Sequence, residues 1–180
     1  MTTVAAIKHG AGFLEMTLPR FGITGHVNLT PNSTPVVYRT ICEKLRPYTG
    51  AALTGVSCIA EGADAIFAQA VLDLGGRLEV VVPAEDYRTK IPANYASTYD
   101  ELIRRAASVR VLPFAESGRD AYEAANHAMV GSFLDRLFAV WDGKSEGGKG
   151  NTASVVEYAR SLSVPVEVLW PEGAERRLRA

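Results

Sequence analysis

The sequence predicts an α/β protein: a single Rossmann-like three-layer sandwich around a mainly parallel six-stranded sheet. Three observations carry this. Six short apolar runs alternate with five amphipathic stretches, and strict strand–helix alternation means βαβ units, parallel strands and right-handed crossovers. The runs are nearly continuous in apolar residues, as strands covered on both faces require. Glycine, hydroxyl and acidic residues gather just after the strands, at the edge where open parallel sheets hold ligands.

Each element has its own signature. Residues 1–19 have weak periodicity and end at Pro19, which predicts an N-terminal arm; the glycines of HGAGF (9–13) follow no strand and so form no dinucleotide fingerprint. RFGITGH (20–26) reads as a strand closing in a glycine turn. STPVVYRTICEKL (33–45) reads as a helix, with Ser33 or Thr34 as N-cap, Pro35 in its first turn, and Val37, Ile41 and Leu45 on one face. AALTG (51–55) is a short buried strand. EGADAIFAQAVLDLGG (61–76) is a helix whose stripe runs Ala63, Ile66, Phe67, Ala70, Val71 and Leu74 before Gly75 and Gly76 end it. RLEVVVP (77–83) is a strand stopped by Pro83, and the polar stretch 84–97 reads as irregular. TYDELIRRAAS (98–108) is a helix, VRVLPF (109–114) a strand, RDAYEAANHAMVGSF (119–133) a helix and DRLFAVWDG (135–143) a strand. NTASVVEYARSLS (151–163) and VPVEVLWP (164–171) give the last helix and strand. The domain therefore spans 20–172, and 173–180 is a charged, exposed tail.

Composition bounds the function. A chain of 180 residues with 47% hydrophobic and 22% charged residues suits one soluble domain with a real core. No apolar run approaches the ~20 residues of a membrane span, and the start lacks a basic segment before a continuous apolar one, so a cytoplasmic protein without a membrane partner is expected. Cys42 and Cys58 alone make no disulfide framework, and no spacing of His, Cys and carboxylates argues for a metal. A net charge of -1 and a pI of about 6.3 lack the basic footprint of a nucleic-acid binder, so no nucleic-acid partner is expected.

The candidate site lies where the strands end. WDGKSEGGKGNT (141–152) leaves a strand and enters a helix. The first amides of a helix have no intrahelical partner and carry partial positive charge, which suits a phosphate. Gly147, Gly148 and Gly150 would allow close backbone approach, Thr152 adds a hydroxyl, and Lys144 or Lys149 a charge. The alternative is a loop that only turns the chain, with Asn151 and Thr152 as ordinary caps. It is not a Walker loop, because no Gly-Lys-Ser/Thr stands at the required spacing. Thr24, Gly25 and His26 end the first strand, where His26 either meets a ligand or satisfies a nearby backbone group. Gly55 and Ser57 follow the second; Ser57 either donates to a phosphate or is structural, with no triad partner in view. Glu61 and Asp64 either serve the site or complement the next helix start. Asp142 and Gly143 either accept from ribose hydroxyls or form a turn. Tyr122 and Asn126 share a helical face that can reach the same cleft.

Together, GITGH, GVSCIAEGADAIFAQAVLDLG, VVVPAEDY, LFAVWDG and GKGNTASVVEYA resemble the SLOG superfamily, over about residues 21–170. That superfamily holds the DNA-processing protein DprA/Smf and the LOG "lysine decarboxylase-like" phosphoribohydrolases. The resemblance implies a Rossmann-like sheet, a nucleotide-derived ligand with its phosphate on the glycine loop, and homodimers or higher homo-oligomers. On it, Gly150 and Thr152 match the phosphate loop with Asn151 in place of a glycine, and Gly25 and His26 match the first motif. Val27 stands where arginine is common. Counting from Thr152, the glutamate of the hydrolytic branch falls on Val155, and Glu157 lies about 200° further around the helix.

The expected function is binding of a nucleotide or nucleotide-derived small molecule as a ligand-binding or sensor protein, with no obligatory cofactor. Its site would comprise Thr24, Gly25, His26, Gly55, Ser57, Asp142, Gly143, Gly148, Gly150, Asn151 and Thr152. The alternative is an N-glycosidase of nucleoside monophosphates, with Glu61 or Asp142 as substitute carboxylate. A dinucleotide oxidoreductase fits poorly, lacking Gly-x-Gly-x-x-Gly after the first strand.

Overall fold

The computed structural model describes residues 19–49, 52–144 and 151–177. The arm over 1–18 and the glycines at 147, 148 and 150 lie outside the described residues. Six strands, β1 (Arg20–Gly25), β2 (Thr54–Ser57), β3 (Arg77–Val82), β4 (Ser108–Val111), β5 (Arg136–Val140) and β6 (Val166–Val168), form one sheet in the order β4-β3-β2-β1-β5-β6. Every pairing is parallel. The helices are α1 (Ser33–Leu45), α2 (Ala63–Asp73), α3 (Tyr87–Lys90), α4 (Ala96–Arg105), α5 (Arg119–Val130) and α6 (Thr152–Ser161).

The chain lays β1 to β4 outward in one direction, then returns past β1 to lay β5 and β6 on its other side. Right-handed crossovers in both directions put the two sets of helices on opposite faces. The core shows the result. Phe21, Ile23, Phe138 and Val140 pack under α1 and α2 with Val37, Ile41, Phe67 and Val71, and Leu78, Val80 and Val82 continue that face toward α4 with Tyr99 and Leu102. The alternate residues Val56, Cys58, Val81 and Leu137 face α5 and α6 with Met129, Val155 and Ala159. Two strand glycines admit this packing. A Cβ on Gly22 would lie 2.4 Å from the Leu134 side chain, and one on Gly55 2.5 Å from that of Val71.

Four differences from the sequence expectation have physical causes. β2 starts at Thr54 rather than Ala51, in register with Arg20. α1 starts at Ser33 after Asn32, because the Ser33 hydroxyl is engaged by the backbone of Glu175 instead of capping. The stretch 84–97 holds α3 and buries Tyr87 and Tyr95, whose rings pack around Tyr99. β4 is an edge strand whose four residues are all exposed, although its sequence reads as a covered run.

Within the segment read as a tail, Glu175–Arg177 are bonded to the body of the protein. Thr30 N–H donates to the Glu175 carbonyl, Arg177 N–H to the Asn28 carbonyl, and Leu29 bridges Arg176 antiparallel. This strap carries the Arg176 side chain into the protein, where it is 8% exposed.

Candidate functional site

Where strand order reverses, the loops leaving the two adjacent strands part and open a crevice. Here that point lies between β1 and β5, and a cleft of about 580 Å³ occupies it. One wall is the end of β1, with Thr24, Gly25 and His26. The start of α6 supplies Asn151, Thr152 and Ala153, and Trp141 and Lys144 follow β5. The lining also holds Cys58, Glu61 and Asp64 around the start of α2, Tyr87 and Lys90 of α3, and Tyr122 and Asn126 of α5.

Two glycines let the walls meet. Gly25 touches both β5 and α2: an added Cβ would stand 2.7 Å from the Val140 carbonyl oxygen and 2.6 Å from Ala63 Cβ. Gly62 precedes α2 at φ +89°, where a Cβ would lie 2.5 Å from the His26 carbonyl oxygen. That carbonyl instead accepts from Ala63 N–H at 3.1 Å. The start of α2 is thus fastened directly to the turn that carries His26.

His26 is held from behind. Its Nε2 lies 3.1 Å from Asp142 Oδ1, and its ring meets Trp170 edge-on at 5.5 Å. Asp142 also accepts from Lys144 N–H at 3.0 Å and from Arg176 Nε at 2.8 Å. Burial pushes the Asp142 carboxyl up, but the bonds from Arg176, the Lys144 amide and His26 outweigh it and hold it at about 2. Burial lowers the pKa of His26 against the pull of Asp142, and the Arg176 charge lowers it further. The ring is therefore neutral at pH 7. The same Nε2 lies 3.3 Å from the Asp142 N–H: it donates to the carboxylate in one tautomer and accepts from the amide in the other, and Nδ1 takes the complementary role.

The start of α6 is the anion-ready end. The Asn151 side chain accepts from Ser154 N–H at 2.9 Å, the ordinary N-cap bond. Among the described residues, the N–H groups of Thr152 and Ala153 meet no acceptor, and both residues line the cleft.

The predicted residues divide. Thr24, Gly25, His26, Asn151 and Thr152 line the cleft. Gly55 lies beneath α2. Ser57 is fully buried; its hydroxyl donates to the Asp64 carbonyl at 3.3 Å and accepts from Ile59 N–H at 3.0 Å, which shapes the turn into α2. Asp142 stands behind His26, and Gly143 turns the chain at φ +79°. Gly148 and Gly150 fall outside the described residues. Sequence reasoning left Asp64 open between a site role and a helix-start charge. It is 8% exposed and lines the cleft. Burial raises its carboxyl to about 7, against a backbone hydrogen bond from Ala60. The only signal was its place one residue into a helix that follows a strand end.

No family model and no curated protein matches the chain. Solved structures do, among them two of DNA processing protein A. DNA processing protein A from Streptococcus pneumoniae is 17% identical with a TM-score of 0.63, over 86% of this chain and 51% of that one. DNA processing protein A from Helicobacter pylori, described for its unique single-stranded DNA binding mode, is 21% identical with a TM-score of 0.64, over 89% of this chain and 69% of that one. This chain thus spans about half of the first protein. The expectation that excluded a nucleic-acid partner is corrected by these neighbours. It rested on net charge, which sums the whole surface and does not describe a cleft that holds Lys90, Lys144 and a helix start. The chain has the Rossmann-like fold of the DprA proteins, consistent with the SLOG superfamily that its motifs resemble.

Proposed function

We propose that the cleft binds a nucleotide or nucleotide-derived small molecule, with its phosphate at the start of α6, as a ligand-binding or sensor protein. One observation carries the reading: the Thr152 and Ala153 amides open into a cleft at the strand-order reversal between β1 and β5. His26, neutral and held by Asp142, offers its other ring nitrogen to a ribose hydroxyl, which can donate or accept. The test is Thr152→Pro. Proline suits the first helical position, and Asn151 already has the extended backbone that a residue before proline prefers (φ -84°, ψ 169°). The substitution removes one amide and one hydroxyl while leaving α6 intact. Nucleoside monophosphates should raise the melting temperature of the wild type and bind the variant about tenfold or more weakly, in keeping with the loss of hydrogen bonds to a charged group. Equal binding by both proteins would remove α6 from the site.

A second reading, single-stranded nucleic acid, is favoured by the Helicobacter pylori neighbour and its described binding mode. Its own measurement is titration with a labelled oligonucleotide at several salt concentrations. A strand held through phosphates gives an affinity that falls steeply with salt, and a mononucleotide competitor shows whether both ligands use this cleft.

A further inference from the structure

The cleft lining joins two unlike features. The start of α6 suits a phosphate, and Asp64, nine-tenths buried, is an acid in the same lining. Lys90 of α3 with Tyr122 and Asn126 of α5 lines the same cleft, and Tyr87 of α3 couples to the Asp64 charge. Cys58 and Glu61 flank it in the turn before α2, and Tyr95 couples to its charge from before α4. Cys58 Sγ lies 3.9 Å from Asn126 Oδ1, which turns the amide nitrogen of Asn126 into a donor for other partners. A buried carboxylate has acceptor sites for about four hydrogens, and among the described residues the Ala60 backbone supplies one. The cleft therefore holds carboxylate acceptors from Asp64 and an amide donor from Asn126, both next to Cys58.

We infer that Asp64 reads the base of the bound nucleotide and selects a guanine-type edge, with ring N–H and amino N–H on the carboxylate and the carbonyl oxygen toward Asn126. The inference rests on the nucleotide reading and names its ligand class. An adenine edge presents a ring lone pair where guanine presents N–H, so an ionised Asp64 rejects it. Hypoxanthine keeps the ring N–H but lacks the amino group.

Binding is then linked to pH through Asp64. Cys58, Tyr87 and Tyr95 are pushed up by burial and stay neutral in this range, and His26, which lines the same cleft, titrates below its ordinary value. With Asp64 near 7, about a tenth of the protein is binding-competent at pH 6 and most of it at pH 8, so guanine affinity weakens roughly tenfold between them. The ligand phosphate also titrates near pH 6, so ribose 5-phosphate serves as the control.

The experiment is calorimetric titration of wild type and Asp64→Asn with GMP, IMP, AMP and ribose 5-phosphate at pH 6 and pH 8. At pH 8, GMP should bind about tenfold or more tighter than AMP, with IMP between, on the usual strength of hydrogen bonds to a charged group. This advantage shrinks at pH 6 and vanishes in Asp64→Asn, whose amide offers one acceptor and one donor, while ribose 5-phosphate binds both proteins alike. Equal binding of GMP and AMP by the wild type at both pH values would overturn the base-reading role and leave the nucleotide reading standing. No binding of any nucleotide or of ribose 5-phosphate would overturn both. The wild-type comparisons decide the matter even if the variant fails to fold.

Discussion

Asp64, buried in the cleft lining, and Asp142, half-buried behind His26, have opposite protonation behaviour. Asp142 has three donors, the Arg176 guanidinium among them, and is held at about 2. Asp64 has one backbone donor and is raised to about 7. Burial raises both, and only at Asp142 do the donors outweigh it. For Asp64 the linkage is destabilising. Between about pH 4 and pH 7 the folded protein retains a proton that the unfolded chain has released, so stability falls as pH rises through that window and levels off above it. Asp64→Asn lacks this dependence. It should leave stability at pH 4 nearly unchanged and add roughly 2–4 kcal/mol at pH 8, measured by urea denaturation at both values. An equal effect at the two pH values would show that Asp64 is solvated in the folded state. A residue that lowers stability in its ionised form, at a ligand cleft, is where a binding role is to be sought.

At the scale of elements, the strap over Glu175–Arg177 connects the end of the chain to the back of the site. Ser33 joins the two: its hydroxyl lies 2.9 Å from the Glu175 carbonyl oxygen and 2.7 Å from Glu175 N–H. Ser33→Ala removes these part-buried hydrogen bonds and should cost about 1 kcal/mol. Because the strap carries Arg176 to Asp142, the same variant should move the His26 ring resonances in an NMR spectrum, which a purely local loss would not do. The sequence made the regular elements legible, through the spacing of Val37, Ile41 and Leu45 and through the apolar run of β3. It did not reveal the strap, because EGAERRLRA is charged and aperiodic, and its place depends on partners at Asn28, Ser33 and Asp142 far away in the chain. The buried tyrosines of 84–97 were hidden for the same reason: no period marks a segment whose burial is set by α4 and by the turn before α2. Of the site, the β1 end and the α6 start were readable, since both follow strands. Asp64 was not, since an acid at a helix start has a commonplace explanation.

At the scale of the molecule, the edge strand β4 and the reversal of strand order define what the sheet does. β4 has Val109 and Val111 exposed at 42% and 49%, so its sequence resembles the central strands while its setting does not. Hydropathy alone does not separate them, because edge position is a property of strand order. Strand order in turn has a consequence for time. The two strands that frame the cleft, β1 and β5, pair Phe21 with Arg136 and Gly25 with Val140, partners roughly 115 residues apart. A chain emerging residue by residue completes β1 through β4 before the second wall exists, and closing so long a loop is slow relative to local helix formation. In pulse-labelled hydrogen exchange during refolding, the amides of Ile23 and Gly25 should gain protection together with Phe138 and Val140, after the helices. Earlier protection of β1 would show that the β1–β2 pair forms on its own. The ligand then has no partial site to visit along the way. Each newly made molecule acquires its binding capacity in a single late step, and a nucleotide added during refolding should leave the folding rate unchanged while slowing the reverse reaction.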